Sequence, residues 1–127
     1  VEAVLERPGL DLELLERNGA RPVQFEPQQK IFSEGETGKV MYLVRDGEVA
    51  LSIDGELVAT LWPGDIFGEM AMIDGSPRSA TATAQSAVDT LIIDRPAFLN
   101  IVRADPEFAM HLLTILSVRV RELNCLV

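Results

Sequence analysis

Short apolar runs between Val23 and Ile93 are interrupted by Gly35, Gly38, Gly47, Gly55, Gly64, Gly68 and Gly75. That punctuation predicts an antiparallel sheet of short strands joined by tight turns. Within Gly47–Ile53, Val49, Leu51 and Ile53 alternate with smaller or polar neighbours, so one face of that strand is buried. Asp54-Gly55 separates it from Leu57–Leu61. A two-residue hairpin turn wants positive φ at both positions, which Asp-Gly supplies. Ser79–Gln85 alternates hydroxyl and alanine, and Val88–Ile93 follows a polar break; both read as strands.

Helices are expected on either side. Leu5, Leu12 and Leu15 lie among acids at the start, where Pro8-Gly9 breaks the chain and leaves Leu10–Arg17 as a short helix. After Pro96 the period lengthens. Ala97–Arg103 reads as a helix halted by Asp105-Pro106, where Asp105 caps the next helix and Pro106 occupies its first turn. Nothing breaks the pattern from Glu107 to the end. Ala109, Leu113, Leu116, Val120, Leu123 and Val127 follow a heptad spacing, flanked by a second apolar set of Phe108, Leu112 and Ile115. The N-terminal half of this helix is expected to pack on its own sheet, and the C-terminal half to serve as a lid or partner helix. The expected architecture is a single domain over residues 1–127, mainly β with flanking helices. It is an antiparallel jelly-roll barrel over about 20–94, with a short internal helix and C-terminal helices over about 95–127.

Charge and composition narrow the function classes. Across 127 residues, 11 Lys+Arg face 20 Asp+Glu, a formal charge of −9, which speaks against a phosphate-neutralising nucleic-acid surface. No apolar run is long enough to cross a bilayer, and no basic segment followed by an apolar one opens the chain, so neither membrane insertion nor secretion is expected. The single Cys125 excludes an internal disulfide framework, and the single His111 leaves little for a histidine metal site or a Ser-His-Asp triad. The expectation is a soluble, cytoplasmic module.

One segment, residues 63–82, carries chemistry. Gly68 precedes a helix-capable run, Glu69–Ile73, and glycine there lets an anion approach the backbone closely. Pro77 then fixes the chain, and Arg78 enters a strand of small residues, from which its planar fork can grip a phosphate in bidentate fashion. Ser79 adds a hydroxyl and an N–H. Glu69 would repel a phosphate, so it either accepts from a hydroxyl on the sugar bearing that phosphate or orients Arg78 by pairing with it. Together these residues describe a nucleotide monophosphate with a free sugar hydroxyl.

Phe67-Gly68-Glu69-Met70-Ala71 followed by Pro77-Arg78-Ser79-Ala80-Thr81 resembles the phosphate-binding cassette of the cyclic-nucleotide-binding domain family. Ile31-Phe32, Glu34-Gly35-Glu36, Gly38, Met41-Tyr42-Leu43-Val44 and Gly47-Glu48-Val49 resemble that family's early strands and turns, extending the likeness from about Val23 to Val127. Lys39 departs from it, where many members carry aspartate. The resemblance implies that Arg78 neutralises the cyclic phosphate and Ser79 hydrogen-bonds it, with Ala80 beside them. Glu69 would accept from the ribose 2′-hydroxyl, and Gly68 with the N–H groups of Glu69, Met70 and Ala71 would cap phosphate and ribose. The last helix would cover the purine, with Arg119, Arg121, Leu123 and Leu126 in reach. Members favouring cyclic GMP often carry threonine after the cassette arginine; Ser79 implies cyclic AMP, with cyclic GMP as the alternative ligand.

The implied function is a regulatory sensor that signals through the last helix, with a homodimer through that helix as the implied partner state and neither cofactor nor metal. The alternatives are the ligand-binding part of a larger transcription factor or channel, and a ligand-free interaction domain. A phosphodiesterase is set aside because one histidine cannot supply a metal cluster. Asp65, Glu69 and Asp74 lack the spacing of a calcium loop. His111 is expected on a partly exposed helix face, Cys125 as an apolar filler, and Trp62 as a core or rim aromatic.

Overall fold

The apolar runs between glycines become eight strands: β1 (Arg21–Phe25), β2 (Lys30–Phe32), β3 (Met41–Asp46), β4 (Val49–Ile53), β5 (Glu56–Leu61), β6 (Ile66–Phe67), β7 (Thr81–Ala84) and β8 (Val88–Ile93). Helices α1 (Leu12–Arg17), α2 (Glu69–Asp74), α3 (Arg95–Ala104) and α4 (Glu107–Cys125) precede, interrupt and follow them. This computed structural model describes residues 10–125, and side chains as far as residue 122. The expectations placed on Leu5, Pro8-Gly9, Leu126 and Val127, and on the side chains of Leu123 and Cys125, lie outside the described residues.

The strands form two antiparallel sheets, in the orders β1-β8-β3-β6 and β2-β7-β4-β5. The expected mainly β architecture with flanking helices is present, and the expected jelly-roll barrel takes the form of two sheets with no ladder joining them. The ladders stop at β6 and β5 instead of continuing around, and β6, with two residues, is too short to bridge to a further strand. The β4–β5 turn forms as expected. Ile53 pairs with Glu56, and Asp54 and Gly55 take φ of 52° and 82°.

Strand β3 sits where both faces are covered, which is why Met41-Tyr42-Leu43-Val44 is apolar without alternation. Met41 and Leu43 join Leu15, Ile66, Leu91, Ile93, Ile101 and Phe108 beneath the helices. Tyr42 and Val44 join Phe32, Val49, Leu61, Phe67 and Val88 between the sheets. The fully buried Thr90 donates its hydroxyl to the Val23 carbonyl at 2.8 Å, so its polar group is satisfied.

Helix α3 begins two residues before the expected start. Asp94, overlooked in the sequence, caps it by accepting from the Ala97 N–H at 2.9 Å, and Pro96 fits the first turn, where no N–H is needed. Asp105 does cap the start of α4, accepting from the Glu107 N–H at 3.1 Å. On α4 the flanking set does most of the packing, joined by Leu116 of the heptad set. Phe108 and Leu112 are buried, whereas Leu113 and Val120 of the heptad set are 56% and 54% exposed.

Candidate functional site

Helix α2 and the segment leading into β7 enclose a cavity of about 70 Å³, lined by Gly68, Glu69, Met70, Ala71, Pro77, Arg78, Ser79 and Ala80, with Phe32, Leu51, Phe67 and Arg119 completing its wall. All seven residues singled out by the sequence therefore meet at one place. Expected strand Ser79–Gln85 is shorter, at Thr81–Ala84, because Ser79 and Ala80 form a bend that turns Arg78 inward.

Arg78 is only 6% exposed. Its backbone is held on both sides: the Arg78 N–H donates to the Glu36 carbonyl at 2.9 Å, and the Gly35 N–H donates to the Arg78 carbonyl at 2.8 Å. Nη1 donates to the carbonyls of Val40 and Gly68, each at 2.9 Å. Cζ lies 4.3 Å from the centroid of the Phe32 ring. Among the described residues no carboxylate lies within 4 Å of the guanidinium, and Nε and Nη2 make no hydrogen bond. Burial pushes the Arg78 pKa down, partly offset by the fields of Tyr42, Glu36 and Glu69. A buried cation without a paired anion favours any anion that reaches it.

Two glycines make room for this group. A Cβ on Gly68 would lie 2.6 Å from Nη1, and a Cβ on Gly38 would lie 2.5 Å from Nη2. Gly68 also caps α2 with φ of 72°, a left-handed conformation suited to glycine. Gly38, which reads in the sequence only as a turn residue, belongs to the site because of this close approach.

Glu69 is 8% exposed. Of its two roles left open by the sequence, pairing with Arg78 is not the one observed. Its Oε1 accepts from Nη1 of Arg119 at 2.7 Å, and Nη2 of Arg119 donates to the Ile66 carbonyl. Oε2 accepts no hydrogen bond among the described residues. Of the four residues expected near a ligand from the last helix, Arg119 reaches the cavity, while Arg121 is exposed and does not line it.

The remaining candidates fall outside. His111 is half-buried, with Nε2 3.0 Å from the Gly64 carbonyl. Trp62 is a rim residue, 41% exposed. Asp65 accepts from the Trp62 N–H at 2.9 Å and Asp74 from the Ser76 N–H at 2.9 Å, so both serve turns. Phe32 and Leu51 were not legible as site residues, because nothing beyond their apolar character marks them, and Phe67 entered only as part of the cassette string, with no role assigned.

Comparison with known proteins gives one coherent result. Residues 22–105 match the family model of the cyclic nucleotide-binding domain. The CRP-like cAMP-activated global transcriptional regulator of Mycobacterium tuberculosis is 33% identical over 109 residues, covering 82% of this chain and 49% of the relative. A cGMP-dependent protein kinase of Toxoplasma gondii is 41% identical over 71 residues, covering 56% of this chain and 7% of that protein. Among solved structures, the catabolite activator protein of Thermus thermophilus superposes with a TM-score of 0.79 at 30% identity, covering 96% of this chain and 60% of that one. The chain thus spans about half the length of the Mycobacterium relative.

Proposed function

The chain belongs to the cyclic nucleotide-binding domain family, and from that premise we propose that it is a single regulatory module that binds cyclic AMP in preference to cyclic GMP and signals through α4. The observation that carries this reading is the buried Arg78 guanidinium, held with Nε and Nη2 unbonded in a cavity shared with Glu69. The cyclic phosphate meets that fork and the Ser79 hydroxyl, beside Ala80. The ribose 2′-hydroxyl donates to Oε2 of Glu69, while Arg119 offsets the carboxylate charge that would otherwise repel the phosphate. Gly68 and the N–H groups of Glu69, Met70 and Ala71 close around phosphate and ribose.

The same ion pair supports an output. Glu69 is held by α4 on one oxygen and by the ligand on the other, so occupancy biases the position of α4 by the affinity difference between its states. Self-association of two copies through exposed Leu113 and Val120 is the contact such a movement would make or break. The strand order also fits a flattened jelly roll, with β1 beside β8, β3 beside β6, β2 beside β7 and β4 beside β5. No helix among the described residues is long and apolar enough to cross a membrane, in keeping with a cytoplasmic sensor.

Displacement of a fluorescent cyclic nucleotide by cyclic AMP and by its 2′-deoxy analogue tests the site. Loss of a donor to a charged acceptor predicts at least about tenfold weaker binding of the analogue. Equal affinities would remove Glu69 from the ribose. Chromatography of the bound nucleotide after hours of incubation should return it unchanged; conversion to the 5′-monophosphate would contradict a purely regulatory role.

A further inference from the structure

The seat of Arg78 is built on one side by an aromatic ring. Phe32 is on β2, opposite Ala82 of β7, next to an irregularity of register between Lys30 and Phe32. Its ring is locked by neighbours, tilted against Tyr42 at 5.8 Å and against Phe67 at 5.9 Å between centroids. Phe67 stacks in turn on Tyr42 at 5.1 Å. The face that remains lies against the guanidinium, 4.3 Å from Cζ, while Gly38 and Gly68 pack against it elsewhere. Phe32 also lines the cavity.

We infer that Phe32 is a positioning residue for anion recognition: its ring holds the Arg78 guanidinium in the orientation that presents Nε and Nη2 to the ligand phosphate. Two carbonyl bonds on Nη1 hold only one corner of the fork, and being soft to bending they leave the far edge, Nε and Nη2, a rocking rotation about that corner. A ring face removes that rotation, because a delocalised planar cation is attracted flat onto a π surface. The same face replaces part of the hydration that the buried cation has lost. A lysine ammonium has no plane to align, so the ring would matter far less to it.

The inference rests on the ligand reading above, and its test separates the two. Cyclic AMP affinity is measured for wild type, Phe32→Leu, Arg78→Lys and the double variant, with circular dichroism and thermal melting confirming the fold. Phe32→Leu should bind about tenfold more weakly than wild type. In the Arg78→Lys background the same change should cost less than about twofold, the coupling expected of two side chains that act on the ligand through their direct contact. Equal losses in both backgrounds, or no loss, would overturn the inference. The ligand-free protein gives an independent readout. The Arg78 Nε–H resonance should be shifted upfield by the ring, and Phe32→Leu should remove most of that shift, the more distant Tyr42 ring, 5.7 Å from Cζ, keeping the rest. A resonance at the ordinary arginine position in wild type overturns the inference whether or not the chain binds a nucleotide. A wild type that ignores cyclic nucleotides but shows the shifted resonance overturns only the ligand reading.

Discussion

At the scale of single residues, the site is an arginine for which the rest of the chain makes space. Gly38 shows how little of that space is visible in one dimension. Its φ is not positive, so an alanine there meets no backbone strain, and the cost falls on the Arg78 fork that its Cβ would strike. Gly38→Ala should therefore weaken cyclic AMP binding by about 1 kcal/mol while leaving the melting temperature close to wild type. Unchanged binding in calorimetry would mean that the guanidinium tolerates displacement. Gly68, Glu69, Arg78 and Ser79 were legible because their residue types sit close together in sequence and share one chemistry. Phe32 and Gly38 were not, because they reach the cavity from other elements, and an apolar or turn position carries no mark of its distant neighbour; Arg119 was reached only through the family resemblance, as one of four candidates on the last helix. Glu69 was legible as a functional carboxylate but not in its pairing, since sequence offered Arg78 as the nearby cation.

Among the elements, local rules worked where the physics is local. The Asp54-Gly55 hairpin, the apolar stretch of β3 and the Asp105 cap each follow from a few adjacent residues. The cap of α3 obeys the same rule at Asp94, and Asp94→Ala should lower stability by about 1 kcal/mol in urea unfolding. No change would show that the remaining contacts of α3 hold its first turn unaided. Strand β6 was missed because two residues contain no period. That the strands part into two sheets was hidden for a related reason: edge pairing depends on strand lengths and positions that turn signals leave open. The link between elements that matters most for the account is Arg119 of α4 with Glu69 of α2. With side chains 33% and 10% exposed, the pair is partly sheltered. Arg119→Leu should leave the fold intact but weaken cyclic AMP, and it should abolish any ligand-dependent change in amide exchange along α4. Persistence of that change in the variant would place the coupling elsewhere.

For the whole molecule, two apolar layers share β3, and the inner one carries a titratable group. Burial raises the Tyr42 pKa above its usual 10.0, with Glu36 raising it further and Arg78 opposing. In the unfolded chain this phenol ionises from about pH 10, while in the fold it stays protonated to higher pH. Its stabilising contribution is thus complete below about pH 10 and is lost as pH rises through the folded value. Melting curves of wild type and Tyr42→Phe should run parallel at lower pH and diverge above pH 10, with wild type falling faster. Parallel curves throughout would mean that the phenol is as well solvated folded as unfolded. These layers support the cavity proposed to hold a cyclic nucleotide, and calorimetric titration of the chain with cyclic AMP, cyclic GMP and 5′-AMP decides whether it does. Cyclic AMP should bind with micromolar or tighter affinity, cyclic GMP more weakly and 5′-AMP much more weakly. Absence of heat with either cyclic nucleotide, or 5′-AMP binding as well as cyclic AMP, would contradict that proposal.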